Sequence, residues 1–313
     1  MSQSERAPCS PASQGRAAPP RAMAWRRRRT AWLRFWREYR RNRAGVVGLA
    51  GLMLFVLLAL AAPLLVDPAQ LSLTGAPGTP YQPPSARFPL GTDNFGRSLL
   101  DLVIWGSRVS LTVGFLATLV SVTLGSLVGI LAGHFRGWTA TVLMRITDWF
   151  LVLPTLVLAI ALAAVLSRST LTVIVAIGVT AWPTTARLVR AQTLAVEARP
   201  YIERAKALGG GHGHIMLRHV LPNVMPLVLA QTTLLVANSI ITESTLAFLG
   251  LGDPTTVSWG AILQDAREAG AISAGVWWYL IPPGLAIALV ALTFTLCGRA
   301  LEGVLNPKLR ERR

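Results

Sequence analysis

Charged side chains are scarce in this chain, and they lie in clusters. Of its 313 residues only 14% are charged and 52% are hydrophobic, a composition more typical of membrane proteins than of soluble ones. Six apolar stretches of 18 or more residues carry no charged side chain: 44–66, 109–135, 149–167, 169–186, 219–242 and 269–298. A helix needs roughly 20 apolar residues to cross a bilayer. The stretches therefore predict transmembrane helices.

Lysine and cysteine are scarce as well, and this excludes several kinds of chemistry. Lys206 and Lys308 are the two lysines, and neither follows a Gly-x4-Gly-Lys-Ser/Thr phosphate loop. Cys9 and Cys297 are too few for a disulfide framework or a cysteine metal site. No nucleophile set and no paired carboxylates stand out. We therefore expect a chain that is not an enzyme and binds no cofactor itself.

The pattern predicts an all-α membrane protein with six transmembrane helices. We place them near 44–66, 109–133, 147–166, 170–188, 223–248 and 277–298. The domain boundaries that follow are a disordered basic tail at 1–43, a first helix at 44–66, a loop at 67–106, a transmembrane domain at 107–300 with a polar loop at 189–222, and a tail at 301–313.

The net charge of +16 is distributed unevenly between the two sides of the predicted membrane. With the N-terminus inside, all but five of the 30 lysine and arginine residues lie on the cytoplasmic side; the five are Arg87, Arg97, Arg108, Arg168 and Arg267. This asymmetry places both termini in the cytoplasm and the loop 67–106 outside. Anionic lipid is a sufficient partner for the basic arm at 26–43, so we expect no nucleic acid. The pair Arg26-Arg27 resembles an export signal, but the following apolar run is long enough to stay in the membrane.

A polar segment at 201–209 separates two of the apolar runs. Its apolar residues fall on one face of a helix and its charged residues on the other. Pro200 suits a first helical turn, and Gly209 suits a left-handed stop. The simple interpretation is a solvated linker between two spans. The alternative is a helix to which a soluble partner protein binds.

The spacing of this segment favours the second interpretation. Glu203, Ala205 and Gly209, followed by Leu221 and Pro222, resemble the cytoplasmic coupling loop of ABC importer permeases. The Arg-His-x-Leu-Pro-Asn string at 218–223 is similar to the peptide-importer branch of that family. Further strings resemble signatures of the dipeptide, oligopeptide and nickel importers: Phe-Pro-Leu-Gly-Thr-Asp-Asn-Phe-Gly-Arg-Ser at 88–98, Met-Arg-x-x-Asp at 144–148, and Phe-Leu-Gly-Leu-Gly at 248–252.

The resemblance implies a type I ABC importer permease fold in the bacterial inner membrane and the second, C-type, permease subunit. It implies a homologous permease partner, two cytoplasmic ATPases that bind ATP and Mg, and an extracytoplasmic binding protein. Peptides are the implied substrate, with nickel chelates or glutathione-like solutes as alternatives. The implied ATPase-coupling residues are Glu203, Arg204, Ala205, Lys206, Gly209, Leu221 and Pro222. Among them Glu203 would pair with a basic group, Arg204 and Lys206 with acidic groups, and Pro222 would mark the start of the fifth helix.

Some residues leave alternatives open. Glu243 lies in an apolar run, where a carboxylate costs on the order of 2–3 kcal/mol, so it either lines a translocation path or is held locally. His212, His214 and His219 lie close together, but no Cys or carboxylate completes a metal site at standard spacing. Arg145 and Asp148 are spaced to pair with each other. A gradient-driven secondary transporter and a membrane scaffold or sensor subunit are the rival functions.

Overall fold

The computed structural model describes residue 33 and residues 36–72 and 75–305, and these residues form helices joined by loops. Residues 36–41 are helical. The helices that follow are α1 (Arg43–Leu65), a 3₁₀ turn (Pro68–Leu71), α2 (Leu99–His134), α3 (Trp138–Val152), α4 (Thr155–Val165), α5 (Thr170–Glu197), α6 (Pro200–Ala207), α7 (His212–Ile215), a π turn (Met216–Val220), α8 (Leu221–Phe248), α9 (Trp259–Glu268) and α10 (Trp277–Leu305). The prediction of an all-α membrane protein is confirmed.

Five helical segments of the described residues are long and apolar enough to cross a membrane. They are α1, α2, α5, the continuous segment from α7 to α8, and α10. The pair α3 and α4 passes the same test only as one unit, bent by 88°. The six predicted spans are therefore present when the bent pair counts as one span.

The prediction of one continuous third helix at 147–166 is wrong. The helix is broken at Leu153 and Pro154, and its first part begins at Trp138. Proline has no N–H and its ring clashes with the carbonyl four residues earlier, so the helix ends before it. In contrast, Pro183 lies inside α5, which continues to Glu197 without a break. The helix α5 thus extends nine residues beyond the end of the fourth predicted span, 170–188.

The core of the bundle is the close packing of α2 against α5. Gly125, Gly129 and Gly133 of α2 face α5, and a Cβ added at Gly129 would lie 2.6 Å from the backbone oxygen of Ala186. Small residues on one face let helices approach closely where lipid supplies no hydrophobic driving force. The glycine spacing that the sequence shows therefore serves contact within this chain.

The loop before α2 folds into a compact cap on α9 and α10. Asp93 is fully buried, and its carboxylate accepts from the Arg97 Nε at 2.5 Å and from the Arg97 backbone N–H at 2.8 Å. The Tyr279 hydroxyl donates to Asn94 at 2.9 Å, and the Tyr81 hydroxyl donates to the Ala269 carbonyl at 2.9 Å. The signature string at 88–98 is thus a packed structural segment that leads into α2.

Candidate functional site

The polar segment predicted from the sequence forms the short helix α6, and both of its ends follow the sequence signals. Pro200 occupies the first turn. At the other end Gly209 has φ +83°, its N–H bonds the Lys206 carbonyl at 3.0 Å, and the Gly210 N–H bonds the Ala205 carbonyl at 2.9 Å. This pair of bonds is a Schellman stop, in which glycine takes the left-handed position without steric cost. The predicted helix stop at Gly209 is confirmed.

The apolar face of α6 is only partly used inside the chain. Ile202 is fully buried in a cluster that also contains Val196, Ile215 and Val220. Leu208, however, is 89% exposed and Tyr201 is 37% exposed. Ala205 is half-buried. Ile202 is therefore the one fully buried side chain of the helix, Leu208 is exposed, and Tyr201 is partly exposed beside the His219 ring.

The charged residues of α6 differ in their partners. Glu203 and Arg204 are exposed. The Lys206 ammonium donates a hydrogen bond to an oxygen of Glu197 at 2.6 Å, so Lys206 already has a charged partner within the chain. The sequence predicted only a pairing of Lys206 with a partner protein. Glu197 was not predicted as its partner, because Glu197 lies in the preceding helix and belongs to no motif.

Glu197 is the centre of a larger network that joins four helices. Its other oxygen lies 2.6 Å from Nδ1 of His134, the last residue of α2. Nε2 of His134 lies 2.8 Å from Nδ1 of His212, the first residue of α7. We call His134, Glu197, Lys206 and His212 the helix-end clamp. His214 contacts the His219 ring instead, with 5.5 Å between ring centroids.

Pro222 lies in the first turn of the α-helix that forms most of the fifth span, as predicted, but other helical turns precede it. Helical backbone begins at His212 and continues without a break to Phe248. The π turn at Met216–Val220 precedes α8, and the Leu221 N–H bonds the Met216 carbonyl five residues back. Pro222 cannot donate to a carbonyl four residues earlier, and this wider turn lets the helix accommodate it. Leu221 is half-buried and Pro222 is exposed in the first turn of α8.

The expected pair between Arg145 and Asp148 is replaced by a contact between helices. Asp148 accepts from Nη2 of Arg187 at 2.6 Å, which links α3 to α5. Both side chains are about half exposed, at 48% for Asp148 and 57% for Arg187. Exposed pairs of this kind contribute about 0–1 kcal/mol.

At the opposite end of the bundle, Glu243 lies on the wall of a cavity of about 470 Å³. Its side chain is buried, and the hydroxyls of Ser110 and Ser244 donate to its Oε2 at 3.2 Å each. Ser110 belongs to α2, so this bond joins α2 to α8, as does the bond from Thr118 to Ser239 at 2.9 Å. Glu243 thus lines the cavity and is also held locally, and both alternatives from the sequence remain open.

Polar groups outside the membrane spans complete the rim of this cavity. Asp253 accepts from the Thr170 N–H at 3.1 Å and the Thr170 hydroxyl at 2.9 Å, which ties the loop after α8 to the start of α5. The Thr255 side chain, together with the Thr170 bonds, lowers the pKa of Asp253 to about 2. Burial raises the pKa of Asp265 above its usual value, although Arg97 nearby opposes this. Arg97, Arg168 and Asp265 also line the cavity.

These features define a helical membrane protein with several spans, an exposed charged helix at one end and a polar cavity at the other. The chain belongs to the family described as binding-protein-dependent transport system inner membrane component, whose model matches residues 125–311. A second model, the N-terminal TM domain of oligopeptide transport permease C, matches residues 30–84. The resemblance to this importer family is therefore confirmed, and so is the inner membrane as the location. The chain is a transport permease subunit.

Curated relatives agree with both models. The dipeptide transport system permease protein DppC of Alkalihalophilus pseudofirmus is 34% identical over 280 residues, which cover 89% of this chain and 90% of that protein. The glutathione transport system permease protein GsiD of Pectobacterium atrosepticum is 36% identical, with 90% of this chain and 93% of that protein covered. The di/tripeptide transport system permease protein DppC of Pseudomonas aeruginosa is 35% identical, with 88% and 92% covered.

Proposed function

We propose that this chain is the C-type permease subunit of an ATP-driven importer that moves di- or oligopeptides across the inner membrane. The observation that carries the proposal is α6, a charged helix set between two spans, beside which Leu208 is 89% exposed and Tyr201 is 37% exposed. A linker of no further use would not need two large exposed apolar groups beside exposed charges. Relatives named for dipeptide and di/tripeptide transport favour peptide as substrate. A relative named for glutathione transport makes glutathione-like solutes the second candidate.

In this proposal α6 lies on the cytoplasmic side, both termini are cytoplasmic, and the cavity beside Glu243 opens outside. The uneven distribution of arginine supports this orientation. The partners are a homologous permease, two cytoplasmic ATPases that hold ATP and Mg, and an extracytoplasmic binding protein. Anionic lipid is the partner of the basic arm at 26–43, much of which lies outside the described residues.

The docking surface for an ATPase is the exposed side of α6 and the segment after it. Glu203 pairs with a basic group of the ATPase and Arg204 with an acidic one. Lys206 lies at the edge of this surface and binds Glu197 as well. Gly209 ends the helix so that the chain can turn, and Ala205, Leu221 and Pro222 complete the surface near it. Movement of the ATPases then shifts α6 and switches the bundle between two openings.

Glu243 would contribute to the translocation path from the cavity wall. Its bonds with Ser110 and Ser244 hold the carboxylate in place while the cavity is closed. A substrate amino group that reached the cavity would compete with these hydroxyl donors.

The test is uptake by the complex reconstituted in liposomes with its ATPases and binding protein. We expect uptake of a labelled dipeptide that depends on ATP and on the binding protein, and hydrolysis that the dipeptide stimulates. Glu203→Ala should lower both rates, whereas Glu268→Ala, an exposed carboxylate at the other end of the bundle, should not. Uptake that follows an ion gradient without any ATPase would refute the proposal and favour a secondary transporter. Uptake of glutathione but not of dipeptides would select the second candidate substrate.

A further inference from the structure

We propose that Glu197 and His134 are positioning residues that hold α6 in register with α2 and α5, so that movement of α6 is transmitted to the membrane helices. The inference rests on the proposed function, in which α6 receives the ATPase. Neither residue belongs to the coupling motif, and Glu197 contacts the docking surface only through Lys206 at its edge. Their effect on transport would act through Lys206 and His212, which flank the turn after α6.

The geometry of the helix-end clamp supports this role. The side chain of Glu197 is 7% exposed and that of His134 is 2% exposed. Each uses both of its polar atoms: Glu197 binds His134 and Lys206, and His134 binds Glu197 and His212. The 2.6 Å contact between Glu197 and His134 is withdrawn from water, and bonds to a charged group in such a place are among the stronger contacts in proteins. The Lys206 side chain is 45% exposed, so its bond to Glu197 contributes less. The clamp therefore fixes four helix ends relative to one another.

The helix α6 needs such a support. It has eight residues, and an isolated helix of that length is marginal in water. Ile202 is its one fully buried side chain. The segment after it contains Gly209, Gly210 and Gly211, and a run of glycines resists bending weakly. Without the clamp, a displacement of α6 would be taken up by bending of this glycine run. With the clamp, the displacement is transmitted directly to the ends of α2 and α5.

The test uses the complete complex in liposomes and compares three variants. Glu197→Gln keeps the size of the side chain and removes the charge. Glu197→Asp keeps the charge that faces Lys206 and serves as the conservative variant. Asp148→Asn is the matched control, because it breaks another 2.6 Å ion pair to α5 that does not touch α6. Peptide uptake, ATP hydrolysis, the KM for ATP and hydrogen exchange of the α6 amides are measured on the same preparations.

We expect Glu197→Gln to lower the peptide taken up per ATP hydrolysed by about tenfold, with the yield of complex and the KM for ATP unchanged. Amides of α6 should exchange about tenfold faster in this variant. Asp148→Asn should keep the native ratio of uptake to hydrolysis and the native exchange, and Glu197→Asp should give values between those of the native complex and of Glu197→Gln. A merely structural residue would instead reduce the yield of complex and leave the ratio unchanged.

Other outcomes separate the two proposals. If Glu197→Gln keeps both the native ratio and the native exchange, the positioning role is refuted and the importer remains. If only the yield of complex falls, the residue is structural and the positioning role is likewise refuted. If the native complex shows no coupling between ATP and uptake, the proposed function fails, and the positioning role fails with it even where exchange in α6 is altered.

Discussion

The stop at the end of α6 allows a test that isolates backbone conformation from packing. Gly209 and Gly211 are both exposed, and a Cβ added at either would meet no atom within 4 Å. They differ in backbone: Gly209 has φ +83° and Gly211 has φ −69°. Alanine at the two positions therefore adds the same group to the same surface, and only at Gly209 does it strain the chain.

The expected free-energy cost of Gly209→Ala follows from the left-handed backbone conformation of Gly209. A residue with a Cβ costs roughly 1–2 kcal/mol in that region. Because about 1.4 kcal/mol corresponds to a factor of ten in an equilibrium constant, Gly209→Ala should increase the opening of the last turn of α6 about tenfold. Gly211→Ala should have no such cost, and it restricts the unfolded chain, which stabilises by about 0.4–1 kcal/mol where the backbone is compatible.

The assay is hydrogen exchange of the amides that form the stop, those of Leu208, Gly209 and Gly210, followed by substrate-stimulated ATP hydrolysis of the complex. We expect faster exchange and weaker stimulation in Gly209→Ala and native behaviour in Gly211→Ala. Equal exchange in the two variants would refute the argument, because it would mean that the glycine conformation does not control the end of α6. Faster amide exchange in Gly209→Ala with unchanged stimulation of ATP hydrolysis would show that coupling does not depend on the helix stop.

Three further predictions concern the rest of the molecule. Asp93→Asn leaves the buried Arg97 without its main charged partner and should lower the free energy of unfolding by about 3–5 kcal/mol, measured by thermal unfolding in detergent. Gly129→Ala inserts a methyl group between α2 and α5 and should cost about 1–3 kcal/mol in the same measurement. Asp253 has a folded pKa near 2 against an ordinary value of 3.8, so its stabilising effect is present above about pH 4 and is lost as the pH falls toward 2. Asp253→Asn should remove that part of the pH dependence.

Each of these has its own control. For Asp93→Asn the comparison is Asp148→Asn, an exposed pair whose loss should cost less than about 1 kcal/mol. For Gly129→Ala it is Gly284→Ala, where a Cβ meets no atom within 4 Å. An unfolding midpoint of Gly129→Ala equal to that of Gly284→Ala would contradict the packing argument. For Asp253 an unchanged acid transition in the asparagine variant would show that other carboxylates dominate it.

Much of the fold was predictable because the bilayer imposes a simple constraint. A span must be apolar over roughly 20 residues, and the charge-free stretches satisfied this directly. The stop at Gly209 was predictable for a similarly local reason, since a left-handed position at a helix end favours glycine. The bend at Pro154 was not predicted, although Pro154 is visible in the sequence. Pro183 lies in α5 without breaking it, so a proline alone does not decide between a break and a continuous helix.

The contacts at the helix ends were not predictable from local patterns. His134 and Glu197 are 63 residues apart, and His134 and His212 are 78 apart. Asp148 was expected to bind a neighbour on its own helix, but Arg187 from α5 reaches it instead. Such pairs depend on how two helices cross, which the spacing within one helix does not reveal. Motif spacing located α6, and only the packing of α2 and α5 revealed what holds it.

The bonds between α2 and the α7–α8 helix have a geometrical consequence. These two helices are joined near one end by His134 and His212 and near the other by Ser110 and Glu243. The joined positions on α2 lie roughly 36 Å apart along its axis, at 1.5 Å per residue. Two helices that are hydrogen-bonded near both ends cannot slide along each other without breaking one of these bonds, but they can tilt together. A displacement at α6 would therefore arrive at the Glu243 cavity as a rotation of its wall, and a tilt of about 10° would move that wall by roughly 6 Å relative to the clamp.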